Sequence, residues 1–254
     1  MIDFSSFDAA ELLPFILVGF VAQMIDGALG MAFGVISNTL LISMGVPPAA
    51  ASAIVHTIKN FTGAVSGLSH VMQKNVDWKL FWRLLIPGVV GGALGAYVLT
   101  RIPVAYAKPL VLAYLAAIGV YLIIRGVRFP PAEKPPRIVE PLGFAGGILD
   151  AAGGGGWGPI VTSNLLVQGG SPRMVVGTVN TTEFFLAVTI SATFLFSLGF
   201  SVMGPPALGL LIGGVAAAPF GAFVAARVSA KWMLTMVGIV LSLTSLFGLW
   251  KAIA

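Results

Sequence analysis

Apolar residues occur along the chain in long runs, and six of these runs are long enough to cross a lipid bilayer. A membrane-spanning helix needs about 20 consecutive, mostly apolar residues. Runs of this kind lie at about 48–71, 80–99, 106–124, 173–197, 204–226 and 232–250. The strands of a transmembrane barrel would instead alternate in polarity over about ten residues, and the sequence has no such pattern. The pattern therefore predicts an all-α polytopic membrane protein.

Two further apolar regions are interrupted by glycine. The first comprises residues 12–25 and 35–44 around Gly27–Gly34, and the second comprises residues 139–152 and 159–168 around Gly153–Gly158. Each flanking piece has about 10–14 residues, or roughly 15–21 Å of helix, which reaches only the middle of the membrane. Glycine is unfavourable inside helices, and irregular backbone at this depth must be buried in protein or line a cavity. We therefore expect two re-entrant helical hairpins, each broken by glycine.

The two interrupted regions are related in sequence. Residues 19–61 align without gaps to residues 143–185, with 13 identical pairs in 43 positions. One of these pairs is the acidic residue before each break, Asp26 and Asp150. A high glycine and alanine content explains some matches, but not an aspartate, a proline and a threonine in the same register. The chain therefore contains an internal repeat.

The basic residues indicate how the halves are oriented. We predict one transport domain over residues 1–254, with repeat 1 at about 11–125, a linker at 126–138 and repeat 2 at about 139–251. If both broken regions are re-entrant hairpins, ten Lys and Arg residues lie on one side of the membrane and three on the other. If each broken region instead crosses the membrane once, eight lie on one side and five on the other. Basic loops favour the cytoplasmic side. This predicts two inverted-topology repeats, each a hairpin plus three transmembrane helices, in the cytoplasmic membrane with the N-terminus outside.

Composition excludes several classes of protein. Hydrophobic residues make up 57% of the chain and charged residues 9%, against about 25% charged residues in soluble domains. The net charge of +5 comes without a Lys/Arg cluster, so nucleic acid is not an expected partner. There is no cysteine and there are two histidines, so we predict neither a metal site nor a cofactor.

The glycine breaks are the predicted substrate site. A half-helix that begins near the midplane directs its unpaired N–H groups and positive dipole end into the protein, which favours an anion. The alternative is that the glycines only allow close helix packing. Gln23, Thr39, Ser163 and Asn164 could line the cavity. The predicted substrate-binding residues here are Gly30, Gly34, Asn38, Gly154, Gly155, Gly156, Trp157 and Gly158.

Polar residues follow each hairpin on the next predicted span. Ionisable side chains within the membrane are functional candidates by default. Lys59 and Glu183 are repeat-equivalent and opposite in sign. They form a structural ion pair, or Lys59 attracts an anion while Glu183 or His56 exchanges a proton, and both can hold. Asp26 and Asp150 either accept hydrogen bonds from the breaks or bind a coupling ion. We assign Asp26, Asp150 and Glu183 to coupling or gating. The remaining predicted substrate contacts are His56, Thr57, Lys59, Asn60, Asn180, Thr181 and Thr182.

These motifs resemble the TauE/SafE sulfite exporter family of membrane transporters. The matching stretches are Asp26–Gly34, Gly45–Ser52, Gly88–Arg101, Gly153–Pro159 and Val176–Glu183. The resemblance implies transport of small sulfur-containing anions such as sulfite, sulfonates and sulfoacetate. Lys59 stands where the resemblance leads us to expect an acidic residue.

The function we expect is secondary transport: export of such an anion by alternating access, with the substrate at the midplane between the glycine breaks. The sequence contains no ATP-binding P-loop. A passive anion channel of the same architecture is the alternative, and an intramembrane enzyme is disfavoured because HExxH and cysteine are absent. The expected partners are the anion and the bilayer. Coupling to a proton or a sodium ion, and assembly as a homodimer, are further possibilities.

Overall fold

The computed structural model describes residues 9–29, 33–127, 136–162, 164–165, 168–225 and 230–253. Within these ranges the regular structure is helical. The helices are α1 (Ala9–Leu29), α2 (Phe33–Ser43), α3 (Pro48–Met72), α4 (Trp78–Arg101), α5 (Val104–Val127), α6 (Glu140–Gly153), α7 (Pro172–Leu198), α8 (Pro205–Ala225) and α9 (Ala230–Ile253). A π-helical segment covers Trp157–Thr162, and a 3-10 turn covers Phe200–Val202. The all-helical prediction is confirmed for the described part of the chain.

The observed helices coincide with the predicted spans. Three segments within the described ranges are long and apolar enough to cross a membrane, namely Trp78–Arg101, Val104–Ile124 and Met174–Leu198. These segments correspond to the predicted spans at 80–99, 106–124 and 173–197. The other three predicted spans fall on α3, α8 and α9. The helical architecture is therefore that of a membrane protein.

The first hairpin differs from its prediction in length. We expected a helix of residues 12–25 followed by a break to Gly34, but α1 has 21 residues and ends at Leu29, which is roughly 31 Å of helix. The next helix, α2, begins at Phe33. The single Gly27 is followed by Ala28 and Leu29, which are strong helix formers, so the helix continues through it. In the second hairpin four consecutive glycines end α6 at Gly153, as expected.

Helices of the two halves pack against each other. Helix α1 packs on α8, α4 on α6, α5 on α9 and α3 on α7. Along α3 and α7 the contacts run in opposite directions, because Asn60 meets Ser191 whereas His70 meets Asn180. The contacts between α5 and α9 also run in opposite directions, from Gly119 with Ser242 to Leu112 with Gly248. Both pairs are therefore antiparallel.

The two hairpins turn in the same way. Gly45 and Gly169 both adopt a φ of 99°, in the left-handed region that favours glycine. In the first turn Val46 N donates to Leu41 O at 3.0 Å, and in the second Gly170 N donates to Leu165 O at 3.0 Å. These are repeat-equivalent residues, and the pattern is a glycine-dependent helix ending. The sequence repeat therefore corresponds to a repeated local structure.

Candidate functional site

The two glycine breaks contact each other through their backbones. A Cβ built on Gly34 would lie 2.5 Å from Gly155 Cα, and one built on Gly155 would lie 2.6 Å from Val35 N. Gly154 ends α6 with a left-handed φ of 70°, and Gly155 and Gly156 continue without regular structure. Only glycine permits this approach, because any side chain would overlap the opposite backbone. The structure thus brings the start of α2 against the second break, and Gly30 lies outside the described residues.

An aspartate caps each break. Asp26 Oδ1 accepts a hydrogen bond from Phe33 N at 2.9 Å. Its repeat-equivalent Asp150 accepts one from Trp157 N at 2.8 Å through Oδ1. A carboxylate bonded to a loop N–H is a familiar turn device, and it occupies the first amide after each break. This is the contact expected from the structural alternative, and the role of both residues in coupling stays a prediction.

Asp150 also contacts a buried histidine. His56 Nε2 lies 3.1 Å from Asp150 Oδ2, and both side chains are fully buried. His56 Nδ1 lies 2.9 Å from Ser52 O, one turn earlier on α3. The Ser52 hydroxyl donates to Ala151 O, at the next residue of α6. His56 therefore connects α3 to the aspartate that caps the second break.

A second charged contact joins the two halves. Lys59 Nζ on α3 forms an ion pair with Glu183 Oε1 on α7, and the two side chains are only 12% and 17% exposed. Asn60 Nδ2 donates to Ser191 Oγ at 2.9 Å. Lys59 also interacts electrostatically with Asp26 and Asp150. The predicted pairing partners are therefore in contact, while their role in transport is a separate question.

The predicted threonines bond to their own helices. Thr57 donates to Ala53 O, Thr181 to Gly177 O and Thr182 to Thr178 O, each at 2.8 Å. Thr181 in addition lines an apolar groove of about 380 Å³ between α3, α4 and α7, where it contacts Gly67. This groove does not include the glycine breaks.

Asn180 contacts a histidine near the end of α3. Its Nδ2 lies 3.3 Å from His70 Nε2. His70 is 11 residues beyond Lys59 on α3, which corresponds to roughly 16 Å along the helix. The Asn180 amide therefore lies toward the end of α3, while the neighbouring Val179 O accepts a hydrogen bond from Trp157 Nε1 of the second break.

Trp157 is part of the packed core. Its side chain is 0% exposed, and Nε1 donates to Val179 O at 3.3 Å. A Cβ built on Gly88 would lie 2.7 Å from Trp157 Cη2, so the ring occupies the space that glycine leaves on α4. Gly158 follows within the same π-helical segment and is buried. The indole thus connects the second break to α4 and α7.

Buried polar atoms gather next to the breaks. Within the described ranges, the following side-chain atoms near them have no hydrogen-bond partner: Gln23 Oε1, Ser37 Oγ, Asn38 Nδ2, Asn38 Oδ1, Thr39 Oγ1 and Tyr114 Oη. An unsatisfied buried polar group costs about 1–3 kcal/mol, so several together make this region the candidate site. The sequence pattern identified Gln23, Asn38 and Thr39 but missed Tyr114. Tyrosine is enriched at the membrane interface, whereas Tyr114 lies inside a predicted span. This unusual position was the signal in the sequence that could have identified it.

The arrangement describes a polytopic membrane protein with a buried, charged and polar centre between two helical hairpins. Comparison with known proteins identifies the family. The family described as "Sulfite exporter TauE/SafE" matches residues 15–248, and the chain belongs to this family of membrane transporters.

Two relatives are informative. The "Probable membrane transporter protein YtnM" of Bacillus subtilis (strain 168) is 42% identical over 237 residues, covering 90% of this chain and 79% of that protein. The "Sulfite exporter TauE/SafE family protein 3" of Arabidopsis thaliana is 22% identical over 118 residues, covering 46% of this chain and 25% of that protein. The first is named as a probable membrane transporter, and the second as a protein of the sulfite exporter family.

Proposed function

We propose that the protein is a secondary transporter that exports a small sulfur-containing anion, of the sulfite, sulfonate or sulfoacetate class, by alternating access. The substrate binds at the midplane between the two glycine breaks. The observation that carries the proposal is the backbone contact of Gly34 with Gly154 and Gly155 next to a buried group of charged residues. Since these breaks leave no space for an anion between them, this conformation is a closed one, and transport requires the breaks to separate.

An inverted repeat supports alternating access, because exchanging the conformations of two inverted halves converts an outward-facing state into an inward-facing one. Two observations favour inversion here. The repeat-equivalent helices α3 and α7 are antiparallel, as are α5 and α9. Lys59 and Glu183 are also repeat-equivalent and in contact, as expected for two residues beside a pseudo-twofold axis. If each broken region crossed the membrane once, equivalent helices would be parallel.

The orientation follows from the same arrangement. Arg83 pairs with Glu140, and Arg83 Nη2 lies 3.5 Å from Arg137 O, so the start of α4 and the start of α6 share one end of the molecule. Lys74 lies on the adjoining turn between α3 and α4, and Lys79 lies in the first turn of α4. We assign this basic end to the cytoplasm. The N-terminus is then outside, in the cytoplasmic membrane, and a homodimer is compatible with this topology.

Charge balance favours coupling to a cation. Three carboxylates, those of the fully buried Asp150 and of the partly buried Asp26 and Glu183, interact electrostatically with one lysine, Lys59. His56 is the further titratable partner. An entering anion adds negative charge to a region that is costly to charge. A proton or sodium ion that enters with the substrate, or a proton on His56, compensates for this charge. Lys59 then attracts the anion, and Glu183 is released from its pair as the substrate binds.

Counterflow in proteoliposomes tests the function. Vesicles are loaded with sulfite, sulfoacetate or another sulfonate, and uptake of the labelled anion is measured for the wild type, Lys59→Ala and Glu183→Gln. We expect saturable exchange in the wild type and strong loss in both variants. Glu140→Gln is the matched control, because it makes the same substitution in an ion pair whose side chains are 35% and 52% exposed.

The outcomes separate the alternatives. If no small anion exchanges, the transporter proposal fails. If both ion-pair variants exchange at the wild-type rate, the site assignment fails while the family function stands. Anion conductance without saturation or counterflow would favour the passive channel.

A further inference from the structure

Asn38 and Tyr114 reach the same short stretch of backbone from different helices. Asn38 is on α2 and Tyr114 is on α5. A Cβ built on Gly154 would lie 2.6 Å from both Cβ and Cγ of Asn38, and a Cβ built on Gly156 would overlap the Tyr114 hydroxyl. The two side chains therefore rest on glycines that are two residues apart, on either side of Gly155.

Both side chains have polar atoms that are enclosed and unpaired. Asn38 is 0% exposed. Among the described residues neither its Nδ2 nor its Oδ1 has a hydrogen-bond partner, and the same holds for the Tyr114 hydroxyl. Buried polar groups are almost always satisfied in stable proteins. An amide and a phenol left unpaired at one place therefore indicate that a polar molecule pairs with them at some stage of function.

We infer that the Asn38 amide and the Tyr114 hydroxyl, seated on Gly154–Gly156, form a neutral hydrogen-bonding site for oxygen atoms of the transported anion. The inference rests on the proposed function and adds Tyr114 to the site. The amide Nδ2 and the phenol O–H each donate a hydrogen bond to an oxyanion. In this closed conformation Asn38 and Tyr114 themselves occupy the space at Gly154 and Gly156, so the anion reaches both donors when the breaks separate.

The surrounding charges explain why neutral donors are suited to this position. Asp150 lies in the last turn of α6, on the same segment as Gly154, and its carboxylate is already paired with His56. A further cation here would compete with His56 for the carboxylate, whereas an amide and a phenol bind an anion without changing the charge. Donors held by packed helices also need little reorganisation when the anion arrives.

The experiment compares Tyr114→Phe with Tyr121→Phe in sulfite counterflow. Tyr121 lies on the same helix seven residues later, roughly 10 Å away. Its substitution makes the same chemical change, the loss of a phenol hydroxyl, at a different position. We expect Tyr114→Phe to raise the KM for sulfite about ten- to hundredfold, since a hydrogen bond to a charged group is lost. Tyr121→Phe should leave KM unchanged. Asn38→Asp, which is close in shape but replaces the donor by a carboxylate, should abolish exchange.

A binding readout guards against misfolding. Sulfite should raise the melting temperature of purified wild type and Tyr121→Phe, and this protection should be lost in Tyr114→Phe. The inference is overturned if Tyr114→Phe keeps the wild-type KM for sulfite. It is also overturned if the substitution changes the KM for sodium and not that for sulfite, because the site would then bind a cation. If the wild type itself exchanges no anion, it is the proposed function that fails.

Discussion

Replacing Gly34 by alanine tests the contact between the two breaks most directly. The added methyl group would lie 2.5 Å from Gly155 Cα and 3.0 Å from Gly154 C. Carbon atoms in contact normally lie about 3.5–4.0 Å apart, so the methyl group overlaps by roughly 1 Å. The atoms it meets belong to backbone rather than to a flexible side chain. The overlap can therefore be relieved only by separating α2 from the second break.

The magnitude follows from two opposing effects. Overpacking a close-packed site costs about 1–3 kcal/mol, and we expect the upper part of this range because the backbone cannot rotate away. Gly34 lies within α2, so alanine also recovers about 0.5–1 kcal/mol of helix propensity. The net loss should be about 1–2 kcal/mol. Gly63→Ala in α3 is the matched control, because its methyl group would lie 3.6 Å from Phe184 Cα, an ordinary contact that leaves only the propensity gain.

Thermal unfolding in detergent, followed by tryptophan fluorescence, measures the difference. Gly34→Ala should melt below the wild type, and Gly63→Ala at or above it. A net loss of about 1.4 kcal/mol in the closed state corresponds to a tenfold shift toward conformations in which the breaks are apart. Because the chain has no cysteine, introduced cysteine pairs can report this shift by spin labelling. The contact is refuted if Gly34→Ala melts at or above the wild-type temperature, as the control should.

Three further predictions concern the buried residues around the breaks. Trp157→Phe should lower stability by about 1–3 kcal/mol, because it removes volume from a fully buried site and one hydrogen bond; an unchanged melting temperature would contradict this packing. In a double-mutant cycle, Lys59→Met and Glu183→Gln should show a coupling of about 1–3 kcal/mol, and strict additivity would mean that the ion pair contributes nothing. Asp150→Ala should destabilise more than Asp150→Asn, because only the amide can still meet both His56 and the backbone N–H; equal melting temperatures would count against the cap.

The spans were predictable because they depend on local composition. The predicted span at 80–99 became α4, Trp78–Arg101, with Asp77 accepting bonds from Lys79 N and Leu80 N at its start. A run of apolar residues in lipid has to satisfy its backbone internally, so it forms a helix whatever its neighbours are. The end of α1 was less predictable, because a single glycine such as Gly27 weakens a helix without necessarily ending it.

The partners of the buried residues depended on tertiary structure. The register of the repeat indicated that Lys59 and Glu183 are equivalent and made an ion pair one of two alternatives, but only the packing of α3 against α7 brings the two side chains into contact. Likewise, His56 and Asp150 lie on different halves, and nothing along the chain links them. Tyr114 was overlooked because its importance arises from lying on Gly153 and Gly156, which are distant in sequence.

The sequence by itself determined that this protein is a helical membrane protein with an internal repeat, because hydropathy and helix length act over a few turns of chain. Only the tertiary structure decided that the two breaks touch and that each aspartate caps its own break. It also decided that Asn38 and Tyr114 both contact the Gly154–Gly156 segment. Each cap joins residues seven apart in one half, so it depends on the path of the chain through the break. The other contacts depend on the distance and crossing of helices from opposite halves, and a difference of one helical turn between packed helices would exchange their partners.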